Sequence, residues 1–194
     1  MAKITWKGST LLAPVPAVMV SCGNMERSNI ITVAWTGILS SNPPRTYVSV
    51  RPERHSHKLI SETGELCINL VPAALVRETD WCGIRSGRDV DKFEKQKLHK
   101  EACANISCPQ IAESPLTLEC KVFDVLHYGT HDVFACDIIA VNADESLLDE
   151  AGKLHLERAR LCAYCHGEYF ALGKSLGKFG FSHAKKKRQT PKKK

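Results

Sequence analysis

Residues 29–69 read NIITVAWTGILSSNPPRTYVSVRPERHSHKLISETGELCIN. Ile30, Ile31, Val33 and Trp35 interleave with Thr32, Ala34 and Thr36 in a β-rich run, the pattern of a strand with one face in a core and small or polar groups on the other. Asn42-Pro43-Pro44 cannot donate to a central ladder and forces a connection, after which Thr46 to Val50 resumes the strand character. Two neighbouring strands are predicted. A short helix follows: Ser56 is a suitable N-cap, Leu59 and Ile60 give an apolar face, and Gly64 is placed to stop it after about two turns.

A helix start offers unpaired N–H groups and the positive end of a dipole, both suited to phosphate. Here Arg51 and Lys58 flank that start with two cations and His57 adds an N–H donor. The segment is laid out for a flat, phosphorylated ligand, although a serine cap beside solvated Arg and Lys begins many helices that bind nothing.

The order N-I-x-T-x-A-W-T-G, S-x-x-P-P, Y-V-S-V-R-P and S-H-K-L-I-x-x-T-G-E-L-x-I-N resembles the flavin reductase-like family of FMN-binding split barrels, in particular its flavoredoxin branch. Val15 to Cys22 resembles the family's opening strand. Ser86-Gly87 with Asp91-Lys92-Phe93 resembles its mid-chain loop, and Gly167-Glu168-Tyr169, Leu172-Gly173 and Gly180 its closing segment. The matched pieces span about residues 10–182. The resemblance implies a mainly β fold with flanking helices, a split β-barrel, and FMN as cofactor. It places Asn29, Thr32, Ala34, Trp35 and Thr36 at the edge of the isoalloxazine ring and Ser49, Val50 and Arg51 along the ribityl chain. Ser56, His57 and Lys58 would hold the phosphate, and Asn69 would be a further polar contact. Ser86, Asp91 and Lys92 are lesser candidates. The chemistry implied is the cofactor's own, with the protein supplying position, electrostatics and exclusion of water, so no general acid or base is assigned.

That resemblance leaves two redox readings. In one, NAD(P)H reduces the flavin; in the other, FMN shuttles electrons between redox proteins. It also implies a two-fold homodimer with flavin near the subunit interface.

Composition agrees with one ordinary globular domain: 194 residues, 43% hydrophobic and 25% charged. No run approaches the roughly 18 apolar residues of a membrane span, and Leu11 to Val20 is broken by Pro14 and Pro16 without a basic leader, so a cytoplasmic protein is expected. The net charge of +6 is concentrated at one end: Ala184 to Lys194 holds 7 of the 27 basic residues, and 27 − 7 = 20 remain against 21 acidic ones. A domain over residues 1–183 and a basic, disordered tail over 184–194 are predicted. The tail is either a solvated appendage or a non-specific phosphate binder, which makes a nucleic-acid-binding module the reading from another class.

Nine cysteines, an odd number without export signals, argue against a disulfide framework. Cys67, Cys120 and Cys136 lie inside β-like runs as small buried hydrophobes. Cys162-Ala163-Tyr164-Cys165-His166 matches a haem-attachment pattern formally, but that chemistry belongs to exported proteins. Structural thiols are expected there, with a redox dithiol as the alternative, and His99, Cys103 and Cys108 are too irregularly spaced to complete a zinc site. His127 and His131 straddle Gly129 at a predicted hairpin tip joining Leu116–Val122 to Val133–Val141, and both are read as exposed turn residues. Pro72 to Cys82 reads as a helix entered by proline, with Leu75, Val76 and Thr79 on one face. No Rossmann, Walker or nucleophile-elbow motif is present.

Overall fold

A computed structural model describes residues 1–183 of the chain; the predicted basic tail lies outside the described residues. The strands are β1 (Val15–Pro16), β2 (Val18–Gly23), β3 (Ser28–Val33), β4 (Thr36–Ser41), β5 (Pro44–Val50), β6 (Glu65–Leu70), β7 (Lys100–Glu101), β8 (Gln110–Ile111), β9 (Leu116–Tyr128), β10 (His131–Ala143), β11 (Cys162–Cys165) and β12 (Glu168–Ala171). The helices are α1 (His55–Thr63), α2 (Val76–Ile84) and α3 (Lys92–Gln96). Seven strands form one antiparallel sheet in the order β3-β2-β6-β9-β10-β5-β4, and β1-β11-β12 form a small second sheet.

The large sheet curls until its two sides meet. The Ser49 N–H, near the end of β5, donates to the Trp35 carbonyl at 2.9 Å, one rung beyond the Thr36–Val48 pair of the β4–β5 ladder, so the chain leaves β3 and joins β5 through β4. Its interior is filled by alternate residues from each wall: Val18, Val20 and Cys22; Ile31 and Val33; Val48 and Val50; Leu66 and Ile68; Cys120; Phe134 and Cys136. Period-two alternation sends these side chains inward. Leu59 and Ile60 of α1 close one end of this core.

The two predicted strands of the opening segment are therefore barrel neighbours through closure, with β4 between them in sequence. The prediction of one polar face on β3 is corrected: Ile30 is as fully buried as Ile31, because Cys82 of α2 and Phe93 of α3 pack against the outside of the strand in a second core. The Thr32 hydroxyl donates to the Thr79 carbonyl of α2, fastening helix to strand.

Gly64 ends α1 in the left-handed region, φ 66°, its N–H returning to the Ile60 carbonyl at 2.8 Å. The helix begins two residues early, with Arg54 at the N-cap and no side-chain cap, so Ser56 is inside its first turn. Pro72 opens a short 3-10 turn, Ala73–Leu75, that runs into α2, and Leu75, Val76 and Thr79 face the second core as the spacing predicts. Gly129, φ 58°, and Thr130 turn β9 into β10.

No helix among the described residues is long and apolar enough to cross a membrane. Phe134 is the bulkiest fully buried side chain of the barrel interior. Phe134→Ala is expected to lower unfolding free energy by about 3–5 kcal/mol in urea titration, the usual range for an emptied core phenylalanine; a loss under about 1 kcal/mol would contradict this packing.

Candidate functional site

Where the barrel closes, β3, β5, α1 and α2 bound two continuous clefts. The first, about 370 Å³, is lined by Thr32, Val33, Ala34 and Trp35 on one strand end, by Ser49, Val50 and Arg51 on the other, and by Gly83 and Ile84 of α2. Aromatic rings wall it on two sides. Trp35 lies against His131 with ring centres 4.6 Å apart, and Tyr164 meets Tyr169 edge-on at 5.3 Å. The Tyr169 hydroxyl donates to Asp80 at 3.4 Å, and burial followed by that neighbouring carboxylate pushes its pKa up to about 12, so it stays a neutral phenol.

The second cleft, about 540 Å³, shares Ile31, Arg51, Arg54 and Gly83 with the first and is built for negative charge. Arg51, Arg54, Arg85, Arg88 and Lys92 line it, against Glu53 alone. None of these four arginines takes part in an ion pair among the described residues. Lys92 is buried, donates to the carbonyls of Ile30 at 2.7 Å and Cys82 at 2.6 Å, and is pushed down to about 8, chiefly by desolvation. His55 is pushed below its ordinary value by burial first and then by Arg27, Arg88, Lys92 and Lys58. The imidazole registers a positive field. The start of α1 opens here too, at Arg54, His55 and Ser56.

Glycine makes the floor. A Cβ on Gly83 would press on Thr32 Cβ at 3.2 Å, and one on Gly87 would strike the side-chain amide of Asn29. That amide is buried and donates to the Ser56 hydroxyl at 2.8 Å, fixing the serine at the edge of the cleft. An aromatic slot running into a cationic, glycine-floored pocket fits a flat ring that carries a phosphate.

The chain matches the flavin reductase like domain over residues 11–173. It belongs to that family. In structure it is similar to the flavoredoxin of Desulfovibrio vulgaris (Miyazaki F), with TM-score 0.87 and 29% identity over 94% of this chain and all of the other. The flavoredoxin of Methanosarcina acetivorans is similar too, with TM-score 0.84 and 26% identity over 95% of this chain and all of that one. In sequence it is 23% identical to the FMN reductase (NADH) RutF of Enterobacter cloacae over 103 residues, 53% of this chain and 60% of that protein. The protein is thus a flavoprotein of the flavin reductase-like, split-barrel family, in its flavoredoxin branch, and its cofactor is FMN.

Of the residues read from sequence, Thr32, Ala34, Trp35, Ser49, Val50 and Arg51 line the first cleft, and Asn29, Arg51 and Ser56 the second. Ser86 and Lys92 join the second, while Asp91 caps α3 by accepting from the Phe93 and Glu94 N–H groups. Four others stand elsewhere. His57 points away from the cleft, bonded to Asp132 at 2.7 Å and edge-on to Phe134, because residue 57 lies a third of a turn round the helix from Ser56. Lys58 is on the exposed side of α1 beside Glu62, 3.6 Å away. The Thr36 hydroxyl donates to the Tyr47 carbonyl at 2.5 Å within the β4–β5 ladder. Asn69 is fully buried, donating to the Met19 carbonyl and the Ser21 hydroxyl and accepting from the Ile111 N–H and the Thr117 hydroxyl. With its amide saturated, Asn69 locks four strands together and has nothing left for a ligand.

Sequence reasoning missed Arg54, Arg85, Arg88, His131, Tyr164 and Gly83. His131 is not an idle turn residue: it stacks on Trp35, while His127 and His57 share Asp132 at 2.7 Å each. The doublet Arg85 and Arg88 around the Ser86-Gly87 step was the available signal. Cys162 and Cys165 sit three apart on β11, so they project to opposite faces of that strand and do not form a pair. No cluster of three or more metal-ligating side chains occurs among the described residues.

Arg51→Ala with Arg88→Ala is expected to weaken FMN at least about tenfold in fluorescence titration while changing riboflavin less than about threefold, since only FMN offers a phosphate for charge-assisted bonds. Lys58→Ala is expected to leave both ligands unchanged. The reverse pattern would return the phosphate to the outer side of α1.

Proposed function

We propose that the protein is an NAD(P)H-dependent flavin oxidoreductase, working as a cytoplasmic homodimer. Thr32, Ala34 and Trp35 would flank the ring of FMN, Ser49 and Val50 its ribityl chain, and Asn29, Ser56, Arg51, Arg54, Arg88 and Lys92 its phosphate end. When bound, FMN supplies a two-electron acceptor. The chain's own part is to hold it, set its field and keep water from one face with Ile84, Tyr164 and Tyr169.

The observation that carries this reading is a third cavity, about 380 Å³, beside the ring slot. It shares Trp35, Tyr164 and Gly167 with the slot and is otherwise lined by Thr10, Leu11, Leu12, Ala13, Val15 and His166. A second planar group entering there would lie beside the flavin ring, which is what hydride delivery from a nicotinamide needs. The likeness to an NADH-dependent FMN reductase supports the same reading. The whole-chain likeness to two flavoredoxins supports a second one, a carrier reduced by a protein donor.

Mixing FMN-loaded protein with NADH or NADPH without oxygen is expected to bleach the flavin absorbance within seconds. Bleaching by a reduced ferredoxin-like donor alone would overturn the reductase reading in favour of the carrier.

The dimer rests on the barrel wall: β4, β9 and β10 expose Ile38, Leu39, Phe123, Leu126, Ile139 and Val141, a large apolar surface for a monomer to leave wet. A cytoplasmic setting is supported by nine free cysteines, seven of them buried. Sedimentation is expected to give a dimer, and Phe123→Glu with Val141→Glu to shift it towards monomer without loss of β-sheet circular dichroism; a monomeric parent protein would contradict the proposal.

A further inference from the structure

Three of the nine thiols come together on the outer side of β6, in a place that shares no residue with the flavin clefts. Cys67 projects from β6 into a small cluster with Cys103, Ile106 and Cys108. Its Sγ lies 3.3 Å from Cys103 Sγ. Cys67 and Cys108 are fully buried, whereas Cys103 is half-buried and lines an open cleft of about 490 Å³ with Asn24, Met25, Glu26, Ala102, Ile106 and Ser107. One sulfur is reachable and the other is directly behind it.

The arrangement is held in place by two carboxylates. Glu119 of β9, itself buried, accepts from the Ala104 and Asn105 N–H groups at 3.2 and 3.0 Å, immediately after Cys103. Glu65 of β6 accepts from the Ser107 N–H and hydroxyl at 2.8 and 2.7 Å, immediately before Cys108. The loop is pinned at both ends over Cys67, so the two sulfurs meet by construction and not by the drift of a free loop.

We propose that Cys103 and Cys67 form a thiol–disulfide exchange site whose oxidant is a low-molecular-weight disulfide entering through the cleft at Met25 and Ser107. Cys103 thiolate attacks one sulfur of the small disulfide; a Cys103–sulfur bond forms, the original S–S bond breaks, and the departing thiolate takes a proton from water. Cys67 then gives up its proton and attacks Cys103 Sγ, forming the Cys67–Cys103 bond and expelling the second small thiolate, which takes that proton. The protein loses two electrons and two protons, and one disulfide becomes two thiols. From 3.3 Å the sulfurs must close to about 2.05 Å, within reach of side-chain rotation.

The roles follow from the surroundings. The Cys67 thiol hydrogen-bonds to Cys103 and holds its pKa below the ordinary thiol range, against burial and the Glu119 charge; the pKa of Cys67 itself is raised by its two sulfur neighbours and by burial. Cys103 is the attacker and Cys67 the resolver. Cys165, also half-buried but with no sulfur beside it, is an internal control.

Full-length protein loaded with FMN is incubated with oxidised glutathione and analysed by intact mass and peptide mapping. The expected product of the parent protein has lost two hydrogens, retains no glutathione and yields a Cys67–Cys103 cross-linked peptide. Cys67→Ala is expected to trap one glutathione on Cys103, and Cys103→Ser, altering only the half-buried member, to leave Cys67 unmodified. In the reduced protein Cys103 is expected to react with iodoacetamide at least about tenfold faster than Cys165. Glutathione retained on the parent protein, a cross-link through Cys108, or equal alkylation of Cys103 and Cys165 would each overturn the proposal.

Discussion

The meeting of β3 and β5, where the chain runs from Val33 through Ala34 and Trp35 into β4, governs everything the site contains. A sheet of this order has β3 and β5 near opposite edges, and only the curl brings them together. That single junction sets Thr32 to Trp35 across from Ser49 to Arg51 and swings the start of α1 beside the outer helix α2. The interior residues that force the curl, Val18, Ile31, Val48, Val50 and Phe134 among them, are buried only if the two edges meet. Core packing therefore positions the ring slot, and the slot needs no dedicated scaffold.

Charge does the remaining selection. Arg51, Arg54, Arg85, Arg88 and buried Lys92 face one volume with Glu53 as the single opposing carboxylate. Their mutual repulsion is an unfavourable contribution to folding that an entering phosphate relieves, and the lowered proton affinities of Lys92 and His55 express the same field. Asn29 ties the cationic cleft to the barrel wall: fixed from β3, its amide donates to the Ser56 hydroxyl at the first turn of α1. Lys92 gives up its proton as pH rises through about 8, so the anion pocket carries more positive charge on the acidic side of that value.

Strand character, the helix stop at Gly64 and the β9–β10 turn at Gly129 were legible in sequence because each depends on local chemistry: alternation, a left-handed glycine, a two-residue hairpin. So was the run from Thr32 to Trp35 that lines the first cleft. The cationic cleft was legible only in part. Ser56 and Arg51 are there, but His57 and Lys58 belong to other faces of α1, since a helix turns about 100° per residue and the N-cap is Arg54, not Ser56. The resemblance placed Asn69 as a polar contact to the ligand; the structure bonds its amide to three neighbouring strands. Arg85 and Arg88 flank Ser86-Gly87 visibly in the sequence, but only the docking of α2 across β3 brings them to α1, some thirty residues away in the chain.

The most direct test is a crystal structure of the protein with FMN. The account requires the phosphate among Ser56, Arg51, Arg54 and Arg88, with the ring between Trp35 and the Tyr164–Tyr169 side of the slot. A phosphate bound by His57 and Lys58 on the far side of α1, with the cationic cleft left to solvent, would contradict it.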